Sequence, residues 1–353
     1  MANLFYKTQE AFGLDVSAGS LKILQFTGDN KESQVKAFTE VSLPKGIIVN
    51  DAFLDVKTFS HLLQEALQKP QFGKISTPYA IVSLPESKSF VRVIQIPIMG
   101  EQEAENAIPF EAESFIPLPI GQVYLDWQIL NTVNDKMNVL IIASPKDFVD
   151  SYLGILEKCG VVPAALEVES LSCHRALINP ENKENQLIVD ISANRTSLIM
   201  IESGNLQFTS TIPLAGNNFT ESIARGLGVS AAKAEVIKQA VGMSNVPEYP
   251  NVKTALLPSL NGLVAEIKNV LRFNFEHSGS KVNKMVVTGG SARLKNIVSF
   301  LQAEFLPEEA MSVELANPWQ NVKGFSAPPI SPENSLGLST VIGLAIRGKN
   351  YNE

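Results

Sequence analysis

At 353 residues the chain is too long for one ordinary core and suits two domains or one duplicated fold. Its 45% hydrophobic and 18% charged content is that of a globular protein, and a net charge of −7 argues against a nucleic-acid surface. Two cysteines and three histidines, scattered, exclude a disulfide framework and a zinc cluster. No apolar run approaches the roughly 18 residues of a membrane helix. Residues 1–10 are too polar for a signal peptide, so the expectation is a cytoplasmic protein without direct membrane insertion.

Residues 12–24 read FGLDVSAGSLKIL: an apolar run holding Asp15, the small turn Ser17-Ala18-Gly19-Ser20, and a second apolar run holding Lys22. Residues 187–199, LIVDISANRTSLI, repeat the pattern with Asp190, Ser192, Ala193, Asn194 and Thr196. Each second strand ends at a Gly-polar pair, Gly28-Asp29 or Gly204-Asn205, before a third strand at 35–43 or 206–214. Strand–turn–strand units of this kind read as β-hairpins. Small residues at their turns let backbone N–H groups face outward as an anion-binding nest. An Asp beside a nest repels a bare phosphate, and a hydrated Mg²⁺ between the two removes the conflict. Lys22 could meet a phosphate as a point charge. Either copy alone is as well explained by an ordinary hairpin with Asp at its turn. The repetition favours two hairpins holding one polyphosphate from both sides.

A helix at 57–69 follows the first copy, with Phe59, Leu62, Leu63 and Leu67 on one side, and then a buried strand at 79–84. Residues 85–143 change character. They read as an alternating strand at 89–96, an acidic helix from Gly100 to Ser114 put in doubt by Pro109, and strands at 123–130 and 137–143 joined at Asn134-Asp135. This is a small inserted α+β module. Ser144, Pro145 and Asp147 predict the N-cap, N1 and N3 positions of the next helix, which Gly160 stops. A short helix at 168–178 and a polar linker at 179–185 put the division between halves near residue 180.

After the second hairpin, Ser230 starts a helix ended by Gly242. A long helix runs from about 254 to 277, with Pro258 placed in its first turn. A buried strand then enters Gly289-Gly290, and a helix is expected from Ser291, its first N–H groups free for a ligand. A lone Gly-Gly pair is equally explained by turn geometry. A Pro-bearing loop at 327–332 and a helix at 334–347 follow. Residues 349–353 are not the amphipathic basic helix of a membrane tether.

Three small-residue turns with two aspartates in this order resemble the actin/Hsp70/sugar-kinase superfamily. A closer resemblance is to the PilM family, cytoplasmic actin-like proteins of type IV pilus assembly. It rests on residues 105–119 (ENAIPFEAESFIPLP) and 123–130 (VYLDWQIL), continues through 139–145 and 160–169, and covers nearly the whole chain. The resemblance implies an α/β, actin-like (ribonuclease H-like) duplicated two-domain ATPase fold with an inserted small α+β subdomain, placed where cell-division FtsA carries its own. The implied lobes are 1–84 with 144–180, and 181–216 with 281–347. Residues 85–143 are the insertion and 217–280 a helical subdomain.

The resemblance also implies roles. Asp15, Ser17, Ala18, Gly19, Ser20 and Lys22 form a first phosphate loop. Asp190, Ser192, Ala193, Asn194 and Thr196 form a second, and both aspartates point toward Mg²⁺ through water. Gly216 and Asn217, with Thr220, open the smaller lobe. Glu235 and Lys238 are a Glu-x-x-Lys pair meeting ribose and base, although the residues alone read as an i,i+3 salt bridge. Gly289, Gly290, Ser291 and Arg293 form an adenosine loop. The family favours glycine where Ser17 and Ser192 stand. A serine there is strained if its φ is positive, or it donates a hydroxyl hydrogen bond, and both outcomes stay open.

The implied function is an ATP- and Mg-binding platform at the inner face of the inner membrane. It would grip the cytoplasmic N-terminal peptide of PilN, an inner-membrane protein, and meet other pilus assembly proteins and further copies of itself. Hydrolysis is expected to be slow or absent, because no residue stands out to position the attacking water. Lys146, Asp147 and Asp150 are as easily the solvated face of a capped helix. The alternatives are an FtsA-like membrane-associated filament protein, a nucleotide-free scaffold of the same fold, and a small-molecule kinase, for which no acceptor segment is evident.

Overall fold

The computed structural model describes residues 10–28, 32–133, 135–322, 324, 330–349 and 351. Residues 1–9, Asp29, Asn134, 327–329 and part of the polar end, all read above, lie outside them. The chain folds as two units: Met1–Leu177 with Trp319–Pro329 and Ser339–Glu353, and Ile178–Pro318 with Ile330–Leu338.

The first unit begins with an antiparallel meander of β1 (Phe12–Val16), β2 (Ser20–Thr27) and β3 (Gln34–Ser42), whose register sets Asp15 opposite Lys22. Gly28 closes β2 at φ 104°, a conformation that favours glycine. A small hairpin, β4 (Ile48–Val49) and β5 (Ala52–Phe53), leads to α1 (Val56–Gln68). Asp55 caps α1 by accepting the Thr58 N–H at 3.0 Å, and Phe59, Leu63 and Ala66 face inward. β6 (Phe72–Gly73) pairs with β3, while β7 (Tyr79–Leu84) joins β1 in parallel.

The inserted module follows as β8 (Phe90–Pro97), α2 (Glu101–Glu113), β9 (Val123–Val133) and β10 (Lys136–Pro145), with strand order β8-β10-β9. It has its own core, where Ala104, Ile108 and Ala112 of α2 meet Ile94, Ile96, Val139 and Ile141. α2 runs unbroken through Pro109. The carbonyl that Pro109 leaves without a donor belongs to Glu105, an exposed residue on the solvent side.

The next helix, α3 (Lys146–Lys158), does not start as its sequence suggests. The β9–β10 ladder extends to Pro145, so Ser144 is a strand residue opposite Tyr124, and its hydroxyl bonds Ser89 Oγ at 2.9 Å. Pro145 is the N-cap, without a side-chain bond. β11 (Val162–Val168) and α4 (Glu169–Leu177) complete the sheet order β11-β7-β1-β2-β3-β6.

A closing helix, Ser339–Lys349, returns to this unit and packs on β1 and α4. Contact is close enough to require glycine: a Cβ at Gly13 would lie 2.7 Å from the Ala345 N and the Val341 O, and one at Gly343 would lie 1.9 Å from the Ser172 O. Arg347 of this helix and Arg175 of α4 both pair with the buried Glu167 carboxylate.

The second unit repeats the plan. β12 (Gln186–Ile191), β13 (Thr196–Glu202) and β14 (Asn205–Ile212) form the meander. Three helices follow, α5 (Gly216–Leu227), α6 (Ala231–Val241) and α7 (Val252–Ser278). Then β15 (Lys284–Thr288) adds in parallel to β12, and after α8 (Ile297–Glu309), β16 (Ser312–Leu315) adds in parallel to β15. The order β16-β15-β12-β13-β14 matches β11-β7-β1-β2-β3 strand for strand. Pro258 lies inside α7 rather than in its first turn, because the helix already starts at Val252. Thr254, whose carbonyl it leaves without a donor, is exposed.

Candidate functional site

The two hairpin turns solve one geometric problem in the same way. In the first, the Ser17 N–H and hydroxyl both donate to the Ser20 carbonyl, at 2.9 and 3.0 Å. In the second, the Ser192 N–H and hydroxyl donate to the Arg195 carbonyl, at 3.1 and 3.0 Å. Neither serine has a positive φ. The hydroxyl hydrogen bond is therefore the outcome at both places, without strain. The N–H groups of Ala18 and Gly19, and of Ala193 and Asn194, have no acceptor among the described residues. Each turn thus keeps two adjacent donors for an anion.

The two aspartates differ. Asp15 is 5% exposed; its Oδ2 receives Lys22 Nζ at 3.2 Å and its Oδ1 receives Ser83 Oγ at 3.1 Å. Ser83 also accepts the Val16 N–H at 3.2 Å. Sequence reasoning missed Ser83, whose only signal is a serine in an otherwise apolar buried strand. Asp190 instead meets Gly289, where a Cβ would lie 2.3 Å from Asp190 Oδ1 and 2.5 Å from the Ile191 O at φ 91°. Only glycine lets the end of β15 lie so close to β12.

Beyond Gly289 the chain makes a 3₁₀ turn, Gly290–Arg293, and α8 begins only at Ile297. The helix expected from Ser291 is broken because the Lys295 carbonyl accepts the Met243 N–H at 2.9 Å, and Asn296 then turns at φ 62°. The Ser291 hydroxyl donates to the Ser192 carbonyl at 3.0 Å, which also accepts the Gly216 N–H at 3.0 Å. Asn217 N–H donates to the Ala193 carbonyl at 2.8 Å, and the Asn217 amide reaches Asn194 Oδ1. One backbone carbonyl therefore joins the second turn, the start of α5 and the glycine loop. Arg293 lies over that loop, donating from Nε to the Gly290 carbonyl at 3.0 Å. Thr196 is different: fully buried, its hydroxyl donates to the Leu214 carbonyl at 2.6 Å, in the interior of the hairpin.

A cavity of about 710 Å³ opens within the second unit. Ala193, Gly216, Asn217, Glu235, Lys238, Gly290, Ser291 and Arg293 line it, with Leu294, Val298, Leu315 and Leu336 among its apolar walls. Gln239, not anticipated from sequence, also lines it and donates to Glu235 Oε1 at 2.9 Å. Glu235 and Lys238 make the i,i+3 salt bridge that their spacing suggests. They pair at 2.7 Å, and they face the cavity. Lys238 also donates to the Gly216 carbonyl at 3.0 Å and to Thr220 Oγ1 at 2.9 Å, tying α6 to the first turn of α5. Partial burial pushes the Glu235 carboxyl up, but hydrogen bonds from Lys238, Thr220 and Gln239 and the Lys238 charge outweigh it. The net shift is below the ordinary value of 4.5. Apolar walls with a few converging polar groups are what a small-molecule site requires.

Asp15, Ser17, Ala18, Gly19, Ser20 and Lys22 belong to the first unit, and the other candidate residues to the second. Lys146, Asp147 and Asp150 serve local surface contacts. Lys146 Nζ donates to the Gly121 carbonyl at 2.9 Å, Asp147 accepts its neighbour's N–H, and Asp150 accepts the Tyr124 hydroxyl at 2.9 Å. Among the described residues no group of three His, Cys, Asp or Glu side chains is set to hold a metal. Single carboxylates beside free N–H donors fit a hydrated Mg²⁺ that arrives with a phosphate, not a protein-built cage.

The model of the type IV pilus assembly protein PilM family matches residues 13–349. The chain belongs to that family. Cell division protein FtsA of Neisseria meningitidis serogroup B is 24% identical over 228 residues, 58% of this chain and 53% of FtsA. FtsA of Escherichia coli K12 is 24% identical over 252 residues, 62% of this chain and 57% of FtsA. The chain thus spans about half the length of these relatives. A solved PilM–PilN type IV pilus biogenesis complex has a TM-score of 0.80 at 26% identity, covering 97% of this chain and 99% of that one. MreB 5 of Spiroplasma citri bound to AMPPNP has a TM-score of 0.56 at 14% identity, with 98% of each chain covered, a likeness of fold alone. The fold is that of the actin-like ATPases. No described helix is long and apolar enough to cross a membrane.

Proposed function

We propose that this PilM-family chain is an ATP-binding assembly platform of the type IV pilus inner-membrane complex, and that it grips the cytoplasmic N-terminal peptide of PilN. The observation that carries nucleotide binding is the cavity of the second unit. Segments about 100 residues apart in sequence meet there around a single carbonyl, that of Ser192. Adenine would lie against the apolar walls, ribose hydroxyls would donate to the ionised Glu235, and the free N–H donors of the second turn would take phosphate oxygens. Asp190 keeps the role the resemblance gives it, toward a hydrated Mg²⁺. When bound, that ion would neutralise phosphate charge.

A solved relative of the same fold is bound to AMPPNP, and another is a complex of PilM with PilN. Both support the reading. Location at the inner face of the inner membrane then follows from the partner. Titration of Mg-ATP into nucleotide-free protein tests the first half: saturable one-to-one binding is expected. Asp190→Ala should weaken it at least about tenfold with the fold intact by circular dichroism; unchanged affinity would remove the metal assignment. A synthetic PilN N-terminal peptide tests the second half, with and without ATP.

A further inference from the structure

The inserted module carries a surface that nucleotide chemistry does not use. On α2, Ala104, Ile108 and Ala112 form the buried stripe. The opposite stripe, at three- and four-residue spacing, is Glu103, Asn106, Phe110 and Glu113, and all four are exposed. Phe110 is 78% exposed, more than any other large apolar side chain among the described residues. Ile98, just before the helix, is 56% exposed. No lysine or arginine pairs with Glu103 or Glu113 among the described residues. An aromatic ring bracketed by two open carboxylates is an unpartnered helix face of defined chemistry.

The sign of the charge selects the occupant. Anionic lipid and nucleic acid are repelled. A second copy of this chain brings a net charge of −7 to the same face. A cationic peptide with an aliphatic stem is attracted, since lysine and arginine lay their methylenes on a ring while the heads meet carboxylates. The module already holds one such arrangement, with Arg92 5.4 Å over the Phe115 ring. Cytoplasmic segments flanking a membrane helix carry an excess of Lys and Arg.

We propose that the Glu103–Phe110–Glu113 stripe docks the basic, membrane-proximal flank of the cytoplasmic segment of PilN. This rests on PilN being the partner. It adds the face on this chain and the chemistry read there.

The test is binding of a fluorescent synthetic PilN N-terminal peptide, including its basic flank, to the full chain at low and at high salt. Wild-type affinity should fall with salt. Phe110→Ala should weaken binding about tenfold. Glu103→Lys with Glu113→Lys should weaken it and flatten the salt dependence. Mg-ATP binding, read in parallel, should not move in either variant. Peptide binding that is identical in wild type and both variants overturns the stripe but leaves the partner. No binding to the wild-type chain removes the partner and the stripe together. Sedimentation of the chain alone completes the test: a dimer lost in Phe110→Ala assigns the face to a second copy instead.

Discussion

The two hairpins share a strand order, a serine-closed turn and an aspartate, yet different segments close on the two aspartates. β1–β2 neutralises Asp15 internally, with Lys22 across the ladder and Ser83 from β7. β12–β13 has Ser197 at the position opposite Asp190 and brings the backbone of Gly289 close to the carboxylate. One copy sets its aspartate against a lysine across the ladder, and the other sets it where β15 closes on β12. Duplication kept the scaffold that presents N–H donors, and the environment of the carboxylate diverged.

The hardest way to break the comparison is at Gly289. Gly289→Val forces a side chain against Asp190 Oδ1 at a φ that only glycine holds easily. It should cost about 4 kcal/mol in urea unfolding, and a cost under about 1 kcal/mol would mean the joint is loose. Next is the first hairpin, where Asp15→Ala removes the carboxylate 3.2 Å from Lys22 Nζ, in a lysine whose side chain is 12% exposed. We expect a loss of about 3 kcal/mol, with the double variant Asp15→Ala/Lys22→Met clearly more stable than the single one. If the single and double variants unfold at the same urea concentration, the pair is not what balances Asp15.

Smaller effects sharpen the likeness instead. Ser17→Ala and Ser192→Ala each remove a 3.0 Å hydroxyl bond to the carbonyl that closes the turn, Ser17→Ala also the bond accepted from the Ser20 N–H at 3.2 Å, and each should cost about 1 kcal/mol. Unequal losses would separate the two turns. Last is Glu235, whose carboxyl is held below 4.5 in the folded chain. A depressed carboxyl contributes stability above its unfolded pKa and loses it as pH falls through the folded value. The side chain is 39% exposed, so solvent screening keeps the contribution under about 1 kcal/mol. Glu235→Gln should therefore unfold slightly earlier than wild type at pH 7, and the gap should narrow as pH falls below the ordinary carboxyl value of 4.5. A difference that does not narrow with falling pH would assign the effect to packing.

What was legible in the sequence was whatever is local. The repeat, the turn residues, the inserted module and the Ser230–Gly242 helix all follow from patterns within a dozen residues. What was not legible was decided by distant partners. Ser144 has the residue type and spacing of a cap, but Ser89, 55 positions away, takes its hydroxyl. Ser291 looks like a helix start, but the Lys295 carbonyl is claimed by Met243. Ser83 is a single polar letter in an apolar strand, and nothing near it announces Asp15. The Glu235–Lys238 spacing fits both a salt bridge and a binding pair; the structure shows the salt bridge, with both residues lining the cavity.

The closing helix carries a consequence for how the molecule is made. The first unit is assembled from both ends of the chain, and nearly all of the second unit lies between them. During synthesis, the strands of the first unit emerge long before Ser339–Lys349, the helix that fits against Gly13 and supplies Arg347 to Glu167. The second unit, by contrast, is almost complete by Pro318. The later-encoded half is therefore able to mature first, while the earlier half waits with its β1 face uncovered, in a state that calls for chaperone protection.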